Sequence, residues 1–146
     1  MKALIQRVSE ASVTVQNQSI AAIKTGLLIF IGIHQNDTPK ERDWMIQKTS
    51  HLRLFPDTQG KLNKTIQDIK GDLLIVPQFT LCGDIKKGTR PNFSNAMAPN
   101  YAKPFFDDLI QTYTATYPHI QTGEFGAHMH VNLINDGPVT LWLETP

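Results

Sequence analysis

The sequence predicts a single domain of mixed α and β structure, built in layers around one core and containing two main helices. Strand-length apolar stretches recur along the chain, and the longest of them, GLLIFIGI at 26–33, is continuous. Between these stretches, one segment has a complete helix-start signature and another has apolar residues at a spacing of four. The whole length, 1–146, suits one domain, because a chain of this size buries a core without disulfides or metals.

Apolar patterning predicts three strands in the first third of the chain. Two alternating segments cover 2–8 and 12–16, with a connection at Ser9 to Ala11, and the continuous run that follows is typical of a strand buried on both faces. Farther along, DLLIVPQFTL at 72–81 gives the strongest strand pattern. Pro77 interrupts this pattern, and a proline inside a strand implies an edge, a bulge or a bend.

The first predicted helix has a clear start. Thr38 is a suitable N-cap, Pro39 occupies the first helical position, and Glu41 completes a capping box with Thr38. The helix is expected to end at about Leu52.

The second predicted helix lies within 99–115, where three apolar residues share one face: Phe105, Leu109 and Tyr113. Pro104 would cost about 3 kcal/mol in a helix interior, so the helix either begins near Lys103 or is kinked. Before it, 82–98 is rich in Gly, Lys, Pro, Asn and Ser and is expected to form a loop. Loops of that length in compact domains are usually functional.

The end of the chain predicts a hairpin that joins the sheet. Apolar residues alternate over AHMHVNLI at 127–134, and VTLWLE at 139–144 is a second strand. Asp136, Gly137 and Pro138 between them suit a turn, because Asp bonds its own backbone, Gly accepts positive φ, and Pro fixes φ near −65°.

Composition excludes several classes of protein. Hydrophobic content of 40% and a net charge of +1 exclude a disordered chain. No apolar run approaches the roughly 18 residues of a membrane span, and the first residues lack the apolar segment of a signal peptide. Cys82 is the single cysteine, which suits a reducing compartment. We therefore expect a cytoplasmic protein without a membrane partner.

Charge is distributed unevenly along the chain. Residues 1–103 carry a net charge of +6 and contain every Lys and Arg, whereas 104–146 carries −5. The densest basic stretch is DIKKGTRPNF, with Lys86, Lys87 and Arg90. This stretch either contacts a polyanion or is a solvated loop.

Several catalytic motifs are absent. The chain has no G-x-S-x-G, H-E-x-x-H or C-x-x-C sequence, which argues against a serine esterase and a zinc protease, and QGKLNKT lacks the Ser or Thr of a P-loop. His128 and His130 lie two apart on a predicted strand, a spacing that suits a metal, but no third ligand accompanies them. We expect neither a metal nor a cofactor.

The stretch PQFTLCGD at 77–84 could carry chemistry. Thr80 lies where an apolar strand passes into a loop, a position that presents a hydroxyl and consecutive backbone N–H groups at a sheet edge. Such groups can form an oxyanion site, although a threonine there can equally reflect β-propensity alone.

The chain resembles the D-aminoacyl-tRNA deacylase family, also called D-tyrosyl-tRNA deacylase, from end to end. The resemblance rests on two motifs in this order, Q-F-T-L and N-x-G-P-V-T, and on the stretches IQRV at 5–8, GLLIFIGIHQND at 26–37, LRLF at 52–55, LLIVPQFTLCGD at 73–84, KKGTRPNFS at 86–94, TGEFGAHMHV at 122–131 and NDGPVTLWLE at 135–144. It implies a mostly antiparallel, barrel-like sheet and a homodimeric hydrolase. The implied substrate is the ester between a D-amino acid and the 3′-terminal adenosine of tRNA.

The resemblance also implies how the enantiomers are distinguished. In the family, the peptide between Gly137 and Pro138 is cis and enters the active site of the other subunit. Its carbonyl oxygens could hold the α-ammonium, so that an L side chain collides with backbone. A glycyl ester has no side chain to collide, and the resemblance points to glycine on alanine tRNA as a second substrate.

Further roles follow from the resemblance alone. Arg7 is expected to brace the Gly-Pro segment, because a planar guanidinium fixes carbonyls better than Lys does. The Q-F-T-L motif places the catalytic centre at Gln78, Phe79 and Thr80. The region that packs the terminal adenine corresponds to Phe125, Gly126 and Met129.

Two mechanisms compete at this site. Thr80 could attack as a nucleophile, but no neighbouring residue in the sequence is an obvious base. We favour assistance by the ribose 2′-hydroxyl of the tRNA, with backbone donors from the protein.

Pro77 departs from the usual S-Q-F-T-L motif of the family and puts any role of a side-chain hydroxyl at this position in doubt. It points to a related deacylase of relaxed or L-chirality as one alternative, against which Phe79 and Arg7 stand. A non-catalytic RNA-end-binding module is a separate alternative.

Overall fold

The computed structural model describes residues 1–146. In chain order the elements are β1 (Lys2–Val15), β2 (Gln18–Ile23), β3 (Gly26–Gly32), α1 (Pro39–His51), β4 (Phe55–Pro56), β5 (Leu62–Lys64), α2 (Ile66–Ile69), β6 (Asp72–Pro77), α3 (Pro99–Thr116), β7 (Ile120–Thr122) and β8 (His130–Glu144). The prediction of mixed α and β structure with two main helices is confirmed, since α2 adds only one short turn.

One large sheet organises the molecule. Its order is β2-β1-β3-β6-β7, and β8 pairs with the other side of β1. The three pairs that β1 makes are antiparallel, whereas β6 is parallel to both β3 and β7. The two ends of the order meet, because the Ala22 N–H donates a hydrogen bond of 2.8 Å to Oε1 of Gln121. The expected barrel-like, mostly antiparallel sheet is therefore confirmed.

The sheet separates two apolar clusters. Leu27, Ile29 and Ile31 of β3 face α1 and α3, whereas Leu28 between them faces the interior of the curved sheet. All four are at most 3% exposed, which explains why β3 has no polar alternation in its sequence. None of the helices combines the length and the apolar character needed to cross a lipid bilayer.

The predicted break in the first strand is wrong. Strand β1 continues through Ser9 to Ala11, and its register with β8 shifts between Val8 and Glu10. This irregularity leaves Ser9 and Glu10 exposed, so local polarity suggested a connection where the strand only bends. The chain instead reverses at Gln16 and Asn17, both with positive φ, into the unpredicted strand β2.

The predicted hairpin at the end of the chain is also wrong. Both halves of β8 pair with β1 in the same direction, from Lys2 opposite Glu144 to Thr14 opposite His130. Gln6 of β1 pairs with Thr140 and Val8 pairs with Asn135, so the segment 136–139 of β8 has no partner on β1. This segment projects as a bulge opposite Arg7. The turn chemistry of Asp-Gly-Pro therefore serves a bulge within one strand.

The first helix agrees with its predicted start. Thr38 is the N-cap of α1, Pro39 is its first residue, and the capping box with Glu41 is formed. These hydrogen bonds from Thr38 lower the pKa of the Glu41 carboxyl. The second helix begins at Pro99, so the alternative of a start near Lys103 is wrong, and Pro104 lies inside α3.

A close approach at the start of β3 aligns the parallel pair β3 and β6. Gly26 pairs with Asp72, and a Cβ at Gly26 would lie 1.9 Å from the Asp72 carbonyl oxygen.

Because that neighbour of Gly26 is backbone and cannot rotate away, we expect Gly26→Ala to lower the free energy of unfolding by more than about 4 kcal/mol in urea titrations. Thr25→Ala, at the exposed preceding position, should change it by less than about 0.5 kcal/mol. Equal effects of the two variants would contradict this account.

Candidate active site

The Q-F-T-L motif lies where β6 ends. The predicted strand over 72–81 stops at Pro77, and Phe79–Cys82 forms a 3₁₀ turn. The Gln78 N–H donates a hydrogen bond of 2.7 Å to the Ile31 carbonyl, which ties the start of the turn to β3. The motif therefore lies beyond the carboxyl ends of two parallel strands, the position where sheets of this kind commonly bind ligands.

A mostly apolar cavity of about 430 Å³ opens beside this turn. Its walls come from β3, from the motif, from the loop before α3 and from the turn before β8, and include Pro77, Gln78, Phe79, Phe93, Met97 and Phe125. Gly126 also lines it. The side chain of Phe79 is 57% exposed and meets Phe93 edge to face, with 5.1 Å between ring centroids. A flat apolar group could stack in this space.

Thr80 is exposed and does not line the cavity. Its hydroxyl accepts a hydrogen bond from Nε2 of Gln78, and its carbonyl accepts one from the Gly83 N–H at 3.0 Å. An amide group cannot take a proton from the hydroxyl, so this geometry offers Thr80 no base.

Backbone donors are available at the start of the turn. The first N–H groups of a 3₁₀ turn have no partner within it, and Gln78 provides no side-chain cap. The N–H groups of Phe79 and Thr80 can therefore bind an oxyanion.

Cys82 ends the same turn but is not a candidate nucleophile. Its side chain is 1% exposed beneath the sheet edge, and burial raises the pKa of the thiol. A buried, protonated thiol is a poor nucleophile, so Cys82 serves packing.

Arg7 is buried on β1 and joins two backbone segments. Its Nη1 donates a hydrogen bond of 2.7 Å to the Leu54 carbonyl, and Nε lies 3.0 Å from Oδ2 of Asp136. The Nε–H does not point at that oxygen, so the contact with Asp136 is a charge pair without a directed hydrogen bond. Removing either partner would leave the guanidinium less well compensated.

The guanidinium lies against the bulge of β8. A Cβ at Gly137 would be 2.8 Å from Nη2 of Arg7, and φ of Gly137 is +117°. Only glycine satisfies both conditions. The peptide between Gly137 and Pro138 is cis, and both residues are exposed in the single chain.

Asn135 fastens the base of the bulge. Its Nδ2 donates hydrogen bonds of 3.0 Å to the carbonyls of Arg7 and Val139, and its Oδ1 accepts one of 2.9 Å from the Thr140 hydroxyl. The sequence assigns no role to Asn135 and only a turn-forming role to Asp136, although both belong to the N-x-G-P-V-T motif.

The structure brings the predicted site residues together in two groups. Gln78, Phe79, Phe125 and Gly126 line the cavity, and Thr80 is next to them in the chain but outside it. Gly137 and Pro138 of the bulge, with Arg7 of β1 against them, do not line the cavity of their own chain. Met129 lies outside both groups and packs beside Gly123 on the interior cluster. Met97 and Phe93, which the sequence did not single out, occupy the cavity wall instead.

The two histidines face each other before and at the start of β8. Their ring centroids are 5.2 Å apart, and the rings meet edge to face. No group of three or more potential ligands forms in the structure. The pair therefore lacks the ligand number of a structural or catalytic zinc site.

Comparison with known proteins identifies the family. The model of the family described as D-Tyr-tRNA(Tyr) deacylase matches residues 4–144. A protein named D-aminoacyl-tRNA deacylase from Dichelobacter nodosus is 51% identical over 143 residues, covering 98% of this chain and 99% of its own. One of the same name from Thermotoga petrophila is 44% identical over 145 residues, covering 99% and 97%.

Two solved structures share the fold. One described as c-Myc DNA Unwinding Element Binding Protein has a TM-score of 0.96 at 42% identity and covers 100% of this chain and 99% of its own. Another, described as a probable eukaryotic D-amino acid tRNA deacylase, has a TM-score of 0.86 at 15% identity over 97% of both chains, and supports the fold alone. Because the family model and the relatives match nearly the whole length, the chain belongs to the D-aminoacyl-tRNA deacylase family, hydrolases that act on the ester bond of aminoacyl-tRNA.

Proposed function

We propose that this protein hydrolyses the ester of D-aminoacyl-tRNA in the cytoplasm, releases the free D-amino acid, and rejects L-amino acids. The observation that carries the proposal is the combination of an apolar cavity with unpartnered backbone donors at the Q-F-T-L turn. The family membership supplies the substrate class. Such an enzyme acts as a proofreading step in translation.

The terminal adenosine would occupy the cavity. Its base would stack against apolar side chains such as Phe125 and Met97, as bases do on aromatic and soft side chains in RNA-binding sites. The ester carbonyl would then lie at the N–H groups of Phe79 and Thr80, which stabilise the charge that develops on oxygen.

The hydrolysis uses water and the substrate's own ribose. The oxygen of a water molecule attacks the ester carbonyl carbon, and the bond from that carbon to the ribose 3′-oxygen breaks. The 2′-hydroxyl relays the proton of the water to the departing 3′-oxygen. The hydroxyl of Thr80 is engaged by an amide and has no base, which favours this route over a covalent intermediate.

The bulge of β8 would complete the site of a second subunit. Gly137 and Pro138 project from the sheet, and the edge of β8 that faces away from β1 has no strand partner. Large apolar side chains flank the bulge on the same strand and are 39–55% exposed: Ile134, Leu141 and Trp142. A homodimer would bury these residues and carry each bulge to the cavity of the other subunit.

Chirality would be selected by exclusion. With the α-ammonium held by carbonyl oxygens of the bulge and the ester held at Phe79, the two enantiomers direct their side chains to opposite sides. An ~10⁴-fold discrimination corresponds to about 5.5 kcal/mol, which a collision with fixed backbone can supply. Glycine has no side chain, so glycyl-tRNA(Ala) would also be hydrolysed.

The proposal is tested by incubating the protein with D-tyrosyl-tRNA, L-tyrosyl-tRNA and glycyl-tRNA(Ala). We expect release of D-tyrosine and glycine, with L-tyrosyl-tRNA intact. Turnover of the L-ester would instead support a deacylase of relaxed or L-chirality, which Pro77 in the cavity wall makes worth testing. Binding without turnover would support a nucleic-acid-binding module, a role suggested by the description of the structural relative as a DNA-binding protein.

Replacing Thr80 separates the two mechanisms. Because its hydroxyl has no base, we expect Thr80→Ala to retain a measurable part of kcat, within about tenfold of the unmodified enzyme. A D-tyrosyl-tRNA ending in 2′-deoxyadenosine should be nearly inert with both proteins. Rapid-quench kinetics provides the check, and an acyl-enzyme burst that disappears in Thr80→Ala would establish the nucleophilic route.

Neutralising Asp136 tests the bracing of the bulge through Arg7. Asp136→Asn should lower kcat/KM for D-tyrosyl-tRNA about two- to fivefold and weaken D/L discrimination, since a partly exposed ion pair contributes roughly 0.2–1 kcal/mol. Glu144→Gln is a matched control, because that carboxylate is equally exposed at 55% and pairs with Lys2 at the carboxyl end of β8, away from the bulge. Equal effects of the two variants on kcat/KM and on D/L discrimination would show that Asp136 does not brace the bulge.

A further inference from the structure

The loop between the 3₁₀ turn and α3 contains a basic finger, which we define as residues 84–92. Two backbone hydrogen bonds close its base, from the Asp84 N–H to the Asn92 carbonyl at 2.7 Å and from the Asn92 N–H to the Asp84 carbonyl at 2.9 Å. Gly88 at the tip has φ of +72° and nothing within 4 Å of a Cβ position. At about 3.3 Å per residue, the tip can extend roughly 13 Å from the closed base.

The cations of the basic finger have no carboxylate partners. Lys86, Lys87 and Arg90 are exposed, and every ion pair in the structure involves other residues. Asp84 is the one acid in the finger, and its side chain accepts a hydrogen bond of 2.9 Å from the Lys86 N–H. Three unpaired positive charges on a projecting turn give a locally positive surface within a chain whose net charge is only +1.

The base of the basic finger is fixed to the cavity. Phe93 follows the finger directly, lines the cavity, and packs against Phe79, and its ring would be 2.9 Å from a Cβ at Gly83. Beyond Phe93, the Met97 N–H donates to the Ile33 carbonyl and the Gln35 N–H donates to the Asn95 carbonyl, both at 2.9 Å. The base of the basic finger is therefore fixed beside the cavity, and the three cations lie on the short segment that extends from that base.

We propose that the basic finger binds the phosphate backbone of the tRNA acceptor end next to the terminal adenosine. This inference rests on the proposed function, because it assumes that the adenosine occupies the cavity. The chain of nucleotides must then leave the cavity past its rim, and Phe93 places the base of the basic finger on that rim. With Ile85 and Pro91 as its apolar side chains and no aromatic ring, the finger is suited to phosphate oxygens and not to stacking on aromatic side chains.

The length of the basic finger agrees with a short contact. A tip about 13 Å from the base spans a few nucleotides, so the finger reaches the single-stranded end and not the distant body of the tRNA. Contacts of this kind add affinity without sequence preference, which suits the proposed action on more than one tRNA species.

The experiment compares two D-tyrosyl esters that differ only in phosphates. D-tyrosyl-tRNA carries the backbone, whereas D-tyrosyl-adenosine fills the cavity without it. For the triple variant Lys86→Gln, Lys87→Gln, Arg90→Gln we expect kcat/KM on D-tyrosyl-tRNA to fall about 50-fold at 0.15 M salt. The slope of log kcat/KM against log salt concentration should become less negative by about 2. Activity on D-tyrosyl-adenosine should remain within about twofold, because the reacting groups are untouched.

Two control variants separate charge from structure. Lys86→Arg, Lys87→Arg, Arg90→Lys preserves every charge and should retain activity on D-tyrosyl-tRNA. Lys48→Gln, Arg53→Gln, Lys61→Gln removes the same charges from exposed positions outside the cavity and should have little effect. Equal loss on both esters, an unchanged salt dependence, or equal loss in the remote variant would overturn the proposal.

Binding of uncharged tRNA tests the basic finger independently of hydrolysis. If the unmodified protein hydrolyses neither ester, the proposed function fails, and the salt dependence of tRNA binding still decides the role of the finger. The slope of the log binding constant against log salt concentration is the quantity to compare. A slope that is less negative by about 2 in the glutamine variant supports the phosphate contact, and an unchanged slope overturns it.

Discussion

A buried positive charge at Arg7 constrains the architecture around it. The guanidinium is largely buried, and its two partners are the Leu54 carbonyl, which accepts its hydrogen bond, and the Asp136 carboxylate, which pairs with its charge. Leu54 lies after α1 and Asp136 lies in the bulge of β8, so one side chain connects the helical layer to the far strand of the sheet. The position of the bulge thus depends on a cation whose side chain is only 10% exposed.

Local signals in the sequence were sufficient where local physics decides the structure. The start of α1 follows from Thr38, Pro39 and Glu41, because a capping box is formed by neighbours in the chain. The β3 strand follows from its continuous apolar run. By contrast, a strand–turn–strand pattern looks the same whether the chain reverses or bulges. The partner strand decides between these outcomes, and for β8 that partner is more than a hundred residues away.

The candidate site was predictable by motif but not by shape. Gln78 and Phe79 could be named because the Q-F-T-L sequence marks them, and Phe125 because it accompanies a recognisable stretch. The cavity also needs Met97 and Phe93, which come from a loop with no periodic pattern. Enclosure of a cavity arises from four separate segments, and single residues within those segments have no spacing that reveals it. Asn135 holds the bulge by donating hydrogen bonds to the backbone carbonyls of Arg7 and Val139, and an asparagine in the sequence does not by itself indicate this role.

The bulge of β8 has a further consequence for how this strand can change. Both of its flanks are held in register with β1, from Gln6 opposite Thr140 on one side and from Val8 opposite Asn135 on the other. Because side chains alternate along a strand, adding or deleting one residue in 136–139 would either strain the bulge or turn every side chain of one flank to the opposite face. Substitutions can alter the chemistry of this segment, but its length is set by the sheet.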